Sequence, residues 1–94
     1  MATTKRISRR AHRSTDHTLI LGYMRGGVSV EQLKARNGFF LHALAARHTR
    51  LGQIGIELWQ EHGPALLAKH DPARLPERLE FFVRWYGRPK IAQD

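Results

Sequence analysis

Ninety-four residues, with sixteen Lys and Arg against eight Asp and Glu, give a small basic chain of net charge +8, too short for a large core or a deep cleft. Cysteine is absent, which excludes disulfides, thiolate catalysis and Cys-ligated zinc. No apolar run approaches the roughly 18–20 residues of a membrane span, and no apolar stretch follows the basic N-terminus as in a secretory signal. The chain therefore reads as a cytoplasmic protein without membrane association.

Residues 1–14 carry Lys5, Arg6, Arg9, Arg10 and Arg13 with few apolar anchors, and read as a disordered basic arm. Thr15 or Asp16 can cap a first helix in which Leu19 and Tyr23, and Ile20 and Met24, stand four apart; Gly26-Gly27 should end it. Ser29 and Gln32 have capping-box spacing and open a second helix with Val30 and Leu33 on its inner edge. Gly38 is suited to stop that helix. Leu41, Leu44, Ala45, His48 and Leu51 then trace the inner stripe of a third helix, expected to stop at Gly52.

The remaining residues also read as helical. A short helix over 56–62 is expected to break at Gly63-Pro64, with another turn or two over 65–70. Asp71-Pro72 signals a turn, and Pro76 suits the first position of a helix over 76–86. Glu77 and Glu80 near its start and Arg84, Arg88 and Lys90 at or beyond its end complement the helix dipole. Leu79, Phe82, Val83 and Tyr86 define one apolar face, and Phe81 and Trp85 a second stripe beside it. So wide an arc calls for cover on two sides. Its own core, with Trp59, Leu66 and Leu67, is one reading; a homodimer seam through Phe81 and Trp85 is another, and a base-stacking platform a third. The fold class expected is all-α.

Charge is unevenly placed. Residues 1–52 hold ten basic and two acidic residues, a net +8, whereas residues 53–94 hold six of each. The asymmetry suggests a polyanion-facing half and a scaffold or partner-facing half. Within the basic half, Gly27 to Gly52 has the spacing of a helix-turn-helix: Leu33 in the first helix, Gly38 in the turn, Phe39 and Leu44 to seat the second helix. His42, Arg47 and Arg50 would then face outward, the arginines able to reach guanine edges or phosphates. A plain helical hairpin satisfies the same spacing.

The block GVSVEQLKARNGFFLHALAARHTRLG resembles a recurring bacterial helix-turn-helix and is similar to the second and third helices of Myb-like three-helix domains. Gly27, Val28, Ser29, Val30, Glu31, Gln32, Leu33, Asn37, Gly38, Ala43, Leu44, Arg47, Leu51 and Gly52 carry the resemblance without a gap. Lys34 stands where the family has a small residue, Phe39 where it has Arg, and His48 where it has Leu. The resemblance implies a three-helix unit over 15–52 and DNA contact by residues 41–51.

Lys5, Arg6, Arg9, Arg10, Arg13, Lys34, Arg36, His42, Arg47 and Arg50 are the expected contacts to double-stranded DNA, in a small transcriptional regulator of bacterial, phage or plasmid type. Two other partners fit the composition: a structured RNA held by the arginine-rich arm, or a host protein docked on the C-terminal aromatic face. No enzyme activity, cofactor or metal is expected. The six histidines lack the three- or four-residue spacing that places two ligands on one helix face.

Overall fold

The computed structural model describes residues 15–35 and 41–89. The described residues are helical, with no strand among them. The elements are α1 (Thr15–Arg25), α2 (Val30–Ala35), α3 (Leu41–Ala45), α4 (Arg50–Ala68), a 3-10 turn (Pro72–Arg74) and α5 (Glu77–Tyr86). The arm over 1–14, with its five cations, lies outside the described residues, as do Arg36, Asn37, Gly38 and Phe39.

The ends of α1 and α2 follow from local chemistry. Gly26 takes φ +93°, where an L side chain would be strained. Its N–H donates to Tyr23 O (3.2 Å) and that of Gly27 to Gly22 O (2.8 Å), the paired bonds of a Schellman stop. Ser29 and Gln32 then form the capping box reciprocally: Gln32 N–H donates to Ser29 Oγ (3.1 Å) and Ser29 N–H to Gln32 Oε1 (2.8 Å).

The third helix departs from expectation. It spans only Leu41–Ala45, and residues 46–49 form a turn that leaves His48 exposed rather than on an inner stripe. Thr49 makes the break. Its backbone is extended (φ −93°, ψ 165°) and its Oγ1 accepts from Gly52 N–H at 2.9 Å, capping α4. The same hydroxyl donates its one proton back into the preceding turn, shared between the carbonyls of Ala43 and Ala46, each 2.8 Å away. Gly52, expected as a stop, lies inside the first turn of α4, where a Cβ would meet Ala46 O at 1.9 Å. It is the point where two backbones touch.

The expected break at Gly63-Pro64 is also absent: α4 runs unbroken for 19 residues with Pro64 inside it. Proline disfavours a helical conformation in the residue before it partly through that residue's Cβ, and Gly63 has none. The continuous helix crosses the division between residues 52 and 53 and forms the central post, packed by α1, α3 and α5. Asp71 Oδ1 accepts from Ala73 N–H (3.0 Å) and caps the 3-10 turn. Pro76 serves as the N-cap of α5 rather than its first residue, and Gly87 at φ +80° ends it.

The core joins Leu19, Ile20, Tyr23 and Met24 of α1, Leu33, Leu44, then Ile54, Leu58 and Trp59 of α4 with Leu79, Phe82 and Tyr86 of α5. Trp59 and Phe82 stack at 5.4 Å and 20°, and the Trp59 indole N–H donates to Gly87 O at 2.5 Å. The first apolar stripe of α5 is thus intramolecular core.

Tyr86 sits in this core and its hydroxyl donates to Leu44 O, tying α5 to α3. Burial pushes its pKa up to about 12, against the opposing pull of the Arg47 guanidinium. Because the folded value exceeds the unfolded value near 10, this stabilisation is complete below pH 10 and is lost as pH rises from 10 towards 12. A shift of that size corresponds to about 2–3 kcal/mol. Tyr86→Phe should cost about 1–2 kcal/mol at pH 8, where Leu44 O loses its partner. Urea titrations at pH 8 and pH 11.5 should show the gap between wild type and variant closing; a constant gap would contradict the assignment.

Candidate nucleic-acid interface

The cations of the basic half that the structure describes lie on the surface. Lys34 is exposed in the last turn of α2, His42 is exposed on α3, Arg47 occupies the turn and Arg50 opens α4. The first turn of α4 has no acidic residue. A cation at a helix start opposes the dipole and costs stability. Arg50 therefore adds its charge to the positive end of the α4 dipole, although the Thr49 cap occupies the Gly52 N–H there.

Arg47 has a structural task that sequence spacing does not reveal. Its Nε (3.1 Å) and Nη2 (2.5 Å) both donate to Trp85 O near the end of α5, while Gln53 Nε2 donates to Arg47 O at 2.5 Å. Two of the five guanidinium N–H groups are thus used. Arg47 is not on a recognition helix running from Leu41 to Leu51, since that helix ends at Ala45. Lys5, Arg6, Arg9, Arg10, Arg13 and Arg36 lie outside the described residues; of the expected contacts the structure places Lys34 on α2, His42 on α3, Arg47 in the turn that follows and Arg50 at the start of α4, all exposed.

The second apolar stripe of α5 divides. Phe81 is half-buried, with ring contacts to Tyr23 (6.4 Å), Phe82 (5.2 Å) and Trp85 (6.2 Å). Trp85 is 44% exposed, and is the exposed large hydrophobic residue among those described. Beside it runs a groove of about 430 Å³ lined by Leu41, His42, Ala45, Ala46, Phe81 and Trp85. This groove exists because α3 ends early and α5 passes alongside it. The periodicity of either helix alone carries no trace of it.

Among the described residues, no group of three His, Cys, Asp or Glu could hold a metal ion, and no helix is long and apolar enough to cross a membrane. Comparison with family models, with curated proteins and with solved structures finds no match to the chain.

Proposed function

We propose that this chain binds double-stranded DNA and acts as a small transcriptional regulator of bacterial, phage or plasmid type. The observation that carries the reading is the segregation of charge: a net +8 over residues 1–52 and zero over residues 53–94. Such segregation is the footprint of a polyanion partner. Arg50 at the start of α4, with exposed His42 and Lys34, supplies contacts from the described residues, and the five cations of residues 1–14 supply phosphate or minor-groove contacts. The resemblance of Gly27 to Gly52 to a helix-turn-helix supports the same reading. The protein is read as a binder, with no catalytic residue or cofactor.

The test is a competition in fluorescence anisotropy between a labelled mixed-sequence duplex and either unlabelled duplex or structured RNA. Non-specific duplex affinity in the range of about 1–100 μM is expected. Arg50→Ala should weaken it several-fold with no change in thermal stability beyond about 0.5 kcal/mol. Preferential displacement by RNA would shift the reading to RNA, and no binding at low salt would remove nucleic acid altogether.

A further inference from the structure

We propose that the exposed face of α5 is a homodimer interface, in which two copies pair antiparallel about a twofold axis. The proposal does not depend on the DNA reading: it is argued from α5 and the groove beside it, whose lining shares His42 with the proposed DNA contacts, and it is tested without nucleic acid.

Three observations carry it. Trp85 is large, apolar and 44% exposed, on a part of the chain whose charge balances to zero over residues 53–94. An exposed indole next to an apolar groove is the arrangement an interface core requires. The groove is at hand, about 430 Å³ between α3 and α5, large enough to receive a second indole.

The third observation selects the occupant. The exposed residues of α5 run from acid to base: Glu77 and Glu80 in the first turn, Arg84 in the last, and exposed Arg88 just beyond. No ion pair within 4.0 Å joins Glu77, Glu80 or Arg84 to another described residue. A face graded in this way repels a parallel copy at both ends and complements an antiparallel one. Residues four apart on a helix are separated by about 6 Å along its axis. An axis crossing α5 at the level of Phe82 therefore sets Glu80 of each copy opposite Arg84 of the other. It sets Glu77 opposite the segment around Arg88, and brings each Trp85 to the groove beside the second copy's Phe81. Every contact made once is made twice, as a twofold interface demands. An unlike partner would need this gradient reversed on its own surface; a second copy has it already.

Sedimentation equilibrium of the full chain, in moderate salt from 5 to 200 μM (roughly the range for modest interfaces), tests the pairing. Wild type is expected to populate dimers across that range. Glu80→Arg and Arg84→Glu, each alone, should weaken dimerisation by about tenfold or more through like-charge opposition. The double exchange, Glu80→Arg with Arg84→Glu, should restore it, because the gradient is only inverted at that pair. Trp85→Glu should give a monomer. All three altered sites are exposed, and the helical circular dichroism and Tm of each variant report whether the fold is intact. A wild type monomeric at 200 μM would overturn the proposal, and so would single variants that dimerise as well as wild type. A double exchange that stays monomeric while folded would overturn the antiparallel register and the proposal with it.

Discussion

Gly52→Ala is expected to lower the unfolding free energy by about 3 kcal/mol, towards the upper end for overpacking. For a domain of this size that corresponds to a fall in Tm of roughly 15–20 °C. Helix propensity alone argues the other way, since alanine in a helix is better than glycine by about 1 kcal/mol. Space decides the sign. A Cβ at residue 52 would lie 1.9 Å from Ala46 O, 2.7 Å from Ala46 C and 3.1 Å from Arg47 Cα. All three are backbone atoms and cannot rotate away. The turn between α3 and α4 would have to open, and the Thr49 bonds to Ala43 and Ala46 would go with it. Gly22→Ala is the milder comparison: its Cβ would meet Val28 Cγ2 at 2.6 Å, a side-chain atom rather than backbone, so Val28 must shift and a smaller loss than at Gly52 is expected. Thermal unfolding of both variants settles the comparison, and a stabilised Gly52→Ala would show that the close approach is not a feature of the folded chain.

The other large effect concerns salt. If five to eight phosphates are neutralised, log K for duplex DNA should fall with log salt at a slope of roughly −4 to −7. Between 50 and 200 mM salt that is a loss of about a thousandfold. Removing residues 1–13 deletes Lys5, Arg6, Arg9, Arg10 and Arg13, half of the ten basic residues in the first 52, and should flatten the slope by about three to four. Because the deletion ends before α1 at Thr15, the Tm should hold. A slope near zero in the full chain would exclude DNA as the main ligand. A slope that survives the deletion would assign the phosphate contacts to Lys34, Arg36, Arg50 and their neighbours instead.

The features legible in the sequence are those made by residues within four or five positions of one another. The Ser29–Gln32 box, the stop at Gly26-Gly27, the turn at Asp71-Pro72 and the apolar face of α5 each depend on local bonds or on one helix's own periodicity. The split between α3 and α4 is different. Leu41, Leu44 and Leu51 continue one helical stripe on paper, and only the Thr49 cap and the contact at Gly52 show that the chain bends there. Gly63-Pro64 carries the ordinary signature of a break. The helix runs through it because Gly63 lacks a Cβ and packs against Trp59 and Pro89, where any Cβ would lie 2.8–2.9 Å from their side chains. The candidate site is divided in the same way. Charge segregation can be counted from the chain. The bond from Arg47 to the carbonyl of Trp85 spans 38 residues, and no spacing rule relates the two.

Gly52, Gly55 and Gly63 fall on one face of α4, and at each of them a Cβ would lie under 3.0 Å from Ala46, from Tyr86 and Leu44, or from Trp59 and Pro89. The residues least open to exchange are therefore ones that carry no chemistry. A saturation library scored for folded protein would show its deepest losses as a stripe along this helix, with Lys34, Arg50 and Trp85 accepting most replacements. Losses at the cations would emerge only under selection for binding, and losses at Trp85 only under selection for assembly. Sequence drift in this chain would erode the surfaces proposed for binding and assembly long before it touched the glycines that hold the helices together.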